Sequence, residues 1–165
     1  MVNYKLTERC ISLLQSRGVT VRDIAECVMY LQGKYIVDLS IEECEAAVRS
    51  VIEKNEVQHA IMTSIALDVL CEEGKYPFEE LQAMVENDEG LYGIDEVIAY
   101  GICNLYGSIA LTNFGYIDKE KYGIIAKLNN HEGSQVNTFI DDIVGAIAAS
   151  AASKIAHTRK RISLE

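Results

Sequence analysis

An all-α fold is predicted, a single-domain helical bundle of about six to eight helices in which one central buried helix is surrounded by the others. Three observations predict it. Apolar residues recur at helical spacing over most of the 165-residue chain, a single Pro is present to interrupt them, and two late runs are apolar or small on nearly every face. An amphipathic helix packs one stripe, whereas a helix apolar all round is buried all round. No repeat, linker or low-complexity stretch divides residues 1–165. They read as one domain, long enough to bury a core without disulfide or metal staples.

The first helix, about 3 to 17, carries Leu6, Cys10, Leu13 and Leu14 at helical spacing and stops at Gly18. Thr20 and Asp23 resemble a capping box for a second helix, with Ile24, Val28 and Leu31 on one face until Gly33. Ser40 with Glu43 reads as the better box and leads into Cys44, Ala47, Val48, Val51 and Ile52. A fourth helix runs from about Glu56 past Ala60, Ile61, Ile65 and Val69 to Gly74. Pro77 suits a first helical position, and Leu81, Met84 and Val85 form a short apolar face before the acidic turn Asn87-Asp-Glu-Gly90. Then the character changes. The runs Val97 to Leu111 and Ile143 to Ala156 have no charged face. On the last, Ile140, Ile143, Val144, Ile147 and Ile155 form a stripe, while Gly145, Ala146, Ala149, Ser150, Ala152 and Ser153 fill the other sides. Small residues let neighbouring helices come close, so one of these two helices belongs at the centre.

The net charge of -10 argues against nucleic acid as a partner, because phosphate binding needs a basic face. It argues equally against wholesale adhesion to anionic lipid. Lys154, Arg159, Lys160 and Arg161 gather near the end of the chain with His157, where cations complement a helix C-terminus. The other reading of that cluster is a tail that touches a membrane. Cys10, Cys27, Cys44, Cys71 and Cys103 are odd in number, lack a CxxC pair and mostly fall on apolar positions. They read as small core residues of a reduced, cytoplasmic protein. The first residues lack a signal-peptide profile, and the run from Val97 falls short of the roughly 20 residues a spanning helix needs. A soluble protein with at most peripheral contact at the inner face of the membrane is expected. Several apolar helix faces make a homo-oligomer the default.

Two acidic pairs break the apolar pattern: Asp95-Glu96 opens the first late run and Asp141-Asp142 the second. Carboxylates at a helix start accept free amide hydrogen bonds and complement the dipole, for about 0.3–1 kcal/mol. Yet neither helix has a polar face to turn to water, and a desolvated carboxylate is costly unless something positive meets it. Oxygen-rich clusters suit Mg²⁺, which is held by one or two carboxylates, waters and a substrate phosphate. Asp95, Glu96, Asp141 and Asp142 are therefore candidate metal ligands. Between the pairs, Asp118 reads either as the cap of an ordinary helix start or as a third ligand or catalytic base. Lys121, one turn on, reads as a phosphate contact. His59, which shares a helix face with Glu56 and Thr63, is either an edge-of-core histidine or a general acid for a leaving alkoxide. Asp68, among Ile65, Ala66, Leu67 and Val69, draws a weaker form of the same suspicion. His131 is an exposed loop residue or a proton carrier.

Three segments, in order, resemble the phosphatidylglycerophosphatase A family. That family shows Ile-Asp-Glu-Val, then Phe-x-x-Phe-Asp-x-x-Lys-Pro, then a Gly-rich stretch leading to Asp-Asp-x-x-Ala-Gly. Here they read Ile94-Asp95-Glu96-Val97, Phe114-Gly-Tyr-Ile117-Asp118-Lys-Glu-Lys121 and Thr138-Phe-Ile-Asp141-Asp142-Ile-Val-Gly145. The motifs cover roughly the second half of the chain. As a whole it resembles the soluble, all-helical branch of that superfamily in Gram-positive bacteria, the YutG-like or low-temperature-requirement C proteins.

The resemblance implies a Mg²⁺-dependent phosphatase of phospholipid metabolism, which removes the terminal phosphate of phosphatidylglycerophosphate to leave phosphatidylglycerol. It makes Asp95, Glu96, Asp118, Asp141 and Asp142 the acidic constellation and Lys121 its basic partner. Three positions depart from the pattern. Gly115 stands where the family has Arg, Tyr122 where it has Pro and Ala99 where it has Gly. Without the Arg a planar phosphate clamp is missing, which Lys cannot fully replace. The expected substrate therefore widens from a phosphorylated lipid to a small phosphomonoester. A nonenzymatic oligomeric helical module that binds or regulates is the alternative. An all-helical nucleotide pyrophosphohydrolase ranks lower, because Glu42, Glu43 and Glu45 do not reproduce its Glu-Glu-x-x-Glu ladder.

Overall fold

The computed structural model describes residues 4–130 and 133–162. His131 and the side chains of Lys160 and Arg161 lie outside the described residues. Among the described residues the chain forms α1 (Tyr4–Ser16), α2 (Val21–Gln32), α3 (Ile41–Ile52), α4 (Asn55–Glu72), α5 (Glu79–Glu86), α6 (Ile94–Asn104), α7 (Ser108–Glu120), α8 (Ile124–Leu128) and α9 (Ile140–Ile162). The all-α bundle stands as expected. Its nine helices exceed the expected six to eight because the late run from Val97 to Leu111 is two helices, and α8 is a five-residue extra. Gly107 divides α6 from α7 at φ +85, a conformation that costs a residue with a Cβ.

The central helix is α9. Every residue from 138 to 153 is buried, and α2, α3, α4, α6, α7 and α8 all pack on it. Its composition explains why. From Ile140 to Ser153 nothing larger than isoleucine occurs, so six neighbours approach at close range. At Gly145 a Cβ would sit 3.4 Å from the Phe114 ring, which marks how closely α7 lies against α9. The other late run is not buried all round: Val97 and Tyr100 on α6, Leu105 just after it and Leu111 on α7 stay exposed.

Helix starts follow the local chemistry, with two differences from the sequence reading. Thr20 forms the complete box, its hydroxyl accepting from Asp23 N–H and its own N–H donating to Asp23. Ser40 forms only the forward half, accepting from Glu43 N–H at 3.1 Å. Pro77 lies ahead of α5 rather than in it, and Phe78 is the residue before its first turn. The five cysteines are free and buried, as their apolar positions suggested. No helix among the described residues is long and apolar enough to cross a membrane. Near the far end of α9, Arg159 reaches Glu43 at 2.8 Å and Asp38 at 3.2 Å, tying that helix to the start of α3.

What positions the first turn of α9 is a set of polar ties from distant segments. Asp68 of α4 accepts from the N–H groups of Phe139 and Ile140, each at 3.0 Å. Buried Arg17 pairs with Glu72 through both guanidinium ends and donates to Val136 O at 2.6 Å. Glu72 in turn accepts from Val136 N–H at 2.8 Å. Asn137 donates to Leu128 O at 3.0 Å, and the Thr138 hydroxyl donates to Val85 O at 2.6 Å. A fork-shaped cation answered by a carboxylate and a carbonyl fixes direction as well as energy. The entry to α9 is thereby fastened on several sides.

Candidate active site

A cavity of about 150 Å³ lies at the start of α9, lined by Asp88, Glu89, Gly90, Gly93, Asp95, Glu96, Asp118, Lys121, Asp141 and Asp142. Four segments deliver these residues. The α5–α6 turn brings Asp88 and Glu89, the first turn of α6 brings Asp95 and Glu96, the end of α7 brings Asp118 and Lys121, and α9 brings Asp141 and Asp142. Seven carboxyl groups face one ammonium.

The cluster is ordered by burial. Asp95, Asp141 and Asp142 are 8%, 5% and 5% exposed, whereas Glu96 stands at the exposed lip. Lys121 holds two acids together, with Nζ 2.7 Å from Asp118 and 3.5 Å from Asp141. It caps α7 in the left-handed region at φ 48, a conformation that costs a side chain about 1 kcal/mol. Asp88 takes the same backbone conformation across the cavity. Strained positions of this kind persist where surrounding structure over-determines them.

Electrostatics follow from this crowding. Burial raises the pKa of Asp141, with repulsion from Asp88 and Asp118 adding to it and Lys121 pulling the other way. Burial raises Asp142 too, and Asp141, Asp95 and Asp118 raise it further. Asp95 is raised by burial, partly offset by the Glu96 N–H it accepts at 3.0 Å. Burial works against the charge on Lys121, yet its bond to Asp118 and the fields of Asp141 and Asp142 together raise its pKa.

Among these acids Asp142 stands alone in one respect. Asp141 accepts from Lys121 and from Asp142 N–H, Asp118 from Lys121, and Asp95 from Glu96 N–H. The Asp142 carboxyl is buried, faces the cavity and has no hydrogen-bond or ion-pair partner among the described residues. Like charges surround it, and only the field of Lys121, which is bonded to Asp118 and Asp141, works against them.

The structure brings Asp95, Glu96, Asp118, Lys121, Asp141 and Asp142 around one cavity. It does not bring His59 there: that residue is exposed on α4, as are Glu56 and Thr63 beside it. Asp118 sits in the last turn of α7, so the reading of it as the cap of a helix start does not hold. Asp68 is the α9 cap already described and lies outside the cavity lining. Sequence reasoning passed over Asp88 and Glu89. Their signal was the acidic turn itself, a pair of acids seven residues ahead of Asp95 and Glu96.

The four expected ligands do not form a closed cage. Among the described residues no group of three or more His, Cys, Asp or Glu side chains is gathered tightly enough to hold a metal ion unaided. The donor chemistry is hard oxygen, and the arrangement is open on one side. That suits a cation that takes one or two carboxylates and completes its shell with water and substrate, and not a structural metal.

A helical bundle whose buried central helix opens on an acidic, lysine-bridged cavity defines the class. Residues 11–157 match the sequence profile of Phosphatidylglycerophosphatase A, and the chain belongs to that family. The uncharacterized protein YutG of Bacillus subtilis (strain 168) is 56% identical over 144 residues, covering 87% of this chain and 86% of that protein. The crystal structure of low temperature requirement C protein from Listeria monocytogenes superposes with a TM-score of 0.91 at 52% identity, covering 94% of this chain and 97% of that one. That of protein YpjQ from Bacillus subtilis gives 0.92 at 48% identity, covering 96% and 98%.

Proposed function

We propose that the chain is a Mg²⁺-dependent phosphomonoester hydrolase acting on a phosphorylated lipid of the phosphatidylglycerophosphate kind. The observation that carries this reading is the Asp142 carboxyl, buried and unpartnered in a cavity shared with six other acids. Burying such a group is costly unless its charge is answered. Lys121 is already engaged by Asp118 and Asp141, so Asp142 awaits a cation from outside the chain.

When bound, a hard divalent cation neutralises phosphoryl oxygens and lowers the pKa of water. Asp142, Asp141, Asp95 and Glu96 are the residues that would hold it. Asp118 is the general base that orients or takes the proton of the attacking water, because it lines the cavity and is less buried than Asp95, Asp141 and Asp142. Lys121, pinned between Asp118 and Asp141, keeps a full charge directed at the cavity and offsets that of the phosphoryl group. Its single ammonium is the basic group left where Gly115 replaces the family Arg. Gly115 is exposed on α7, so no guanidinium could act from inside the helix packing at that position.

Phosphate release from phosphatidylglycerophosphate, glycerol phosphate and nucleotides, each with and without Mg²⁺, tests the reading. Release from the lipid ester that requires Mg²⁺ is expected. Release independent of metal, or none from any ester, would overturn it in favour of the nonenzymatic module.

A further inference from the structure

A second cavity, of about 380 Å³, opens at the opposite end of α7, where α2 ends, α7 begins and the last turns of α9 pass. Ser108 lines it, and ten residues of helix, about 15 Å at 1.5 Å per residue, separate Ser108 from Asp118 on the acidic cavity. No carboxylate lines this second cavity.

Its walls carry unanswered donors. Gln32 is 7% exposed and faces the cavity, and its side-chain amide makes no hydrogen bond among the described residues. The Nδ2 group of Asn113 is buried without an acceptor. Gly107 precedes α7 and offers no side-chain cap, so the amides of the first turn, from Ser108 onward, have no capping acceptor. Thr112, by contrast, is satisfied, its hydroxyl donating to Ser108 O at 3.0 Å. A helix start with free amides favours negative charge, and buried donors without acceptors are rare in folded proteins. Lys34 adds positive potential nearby, with Nζ 5.1 Å from the ring centre of Tyr35 on the cavity wall. Ile109 and Ala156 make the apolar side.

We propose that this cavity binds a small organic oxyanion, a carboxylate or a phosphate monoester. Its charged oxygens accept from Asn113, Gln32 and the start of α7, and its short carbon chain rests on Ile109 and Ala156. The site differs from the acidic cavity in kind: one repels an anion unless a cation is present, whereas the other takes an anion directly.

Backbone amide NMR of the full chain in EDTA tests this, because without metal the acidic cavity repels the probes and no turnover is needed. Butyrate, glycerol phosphate, inorganic phosphate and glycerol are titrated separately. Saturable shifts at Ser108, Ile109 and Ala110 with butyrate or glycerol phosphate, half complete below about 10 mM, are expected. Whichever organic anion binds more tightly identifies the head group. Asn113→Asp, which sets a carboxylate in the cavity, should abolish the saturation, and Gln32→Met should weaken it about tenfold. The proposal is overturned by saturation with neither organic anion, by equal response to glycerol or to inorganic phosphate alone, or by unchanged binding in both variants. Failure here leaves the phosphatase reading untouched, and failure of phosphate release leaves these shifts unaffected.

Discussion

Asp68 and Asp142 are aspartates at comparable depth, 0% and 5% exposed, on either side of the start of α9. Asp68 faces two amide N–H groups at 3.0 Å each, and these two bonds together with Arg17 offset part of the cost of its burial. Asp142 is raised by burial and by Asp141, Asp95 and Asp118, no hydrogen bond offsets this, and only the field of Lys121 works the other way. Depth alone therefore does not mark a functional carboxylate. What marks it is whether the folded chain supplies the partner. Asp68 belongs to the architecture that aims α9, and Asp142 to the cavity that α9 is aimed at.

Four substitutions or conditions separate the two roles. The largest expected effect is that of Asp142→Asn on turnover, a loss of about 10²–10⁴-fold in Mg²⁺-dependent phosphate release. Its melting temperature in EDTA should stay level or rise, because a repelled charge is removed. A loss of both activity and stability would put Asp142 with Asp68. Next, Asp68→Ala should cost about 3 kcal/mol in denaturant unfolding, since two buried amides lose their acceptor. Faster hydrogen exchange at Phe139 and Ile140 should accompany it.

The third effect is pH dependence without metal. Burial pushes Asp68 up to about 7, and Asp141 and Asp142 are raised by burial and mutual repulsion. An acid whose pKa is higher folded than unfolded binds more protons in the native state, so stability falls as pH rises through that interval. The interval runs from the ordinary aspartate value of about 3.9 to neutral pH and above. In EDTA the chain should unfold more easily at about pH 8 than at about pH 5.5, by more than about 1 kcal/mol. Asp142→Asn should flatten that slope, and a slope of opposite sign would contradict the burial argument. The smallest effect belongs to Glu96→Gln. Glu96 lies at the exposed lip, so its stability change should stay within about 0.5 kcal/mol.

Much of this was legible from residue spacing. Apolar character on nearly every face marked two candidate central helices, and of these the run from Ile143 is the buried one while that from Val97 keeps an exposed side. The two acidic pairs were visible as anomalies on such helices, and both lie in first turns facing one cavity. The break at Gly107 had its signals in Asn104 and Gly107-Ser108, but the apolar residues on both sides made the run read as one helix. Asp88 was missed because a polar turn before a helix is ordinary in sequence, and only the fold brings it opposite Asp141. Arg17, Glu72 and Val136 lie 55 to 119 residues apart along the chain, and no local pattern announces such a tie. His59 shows the converse: a chemically apt residue on α4 faces solvent rather than the cavity.

Isothermal calorimetry of Mg²⁺ binding to the wild type, Asp142→Asn and Asp68→Asn tests the distinction most directly. Saturable binding to the wild type and to Asp68→Asn, with the signal lost in Asp142→Asn, is the predicted result. Binding that persists unchanged in Asp142→Asn, or is absent from the wild type even with a phosphate ester present, would contradict the assignment of Asp142 as the carboxylate that awaits a cation.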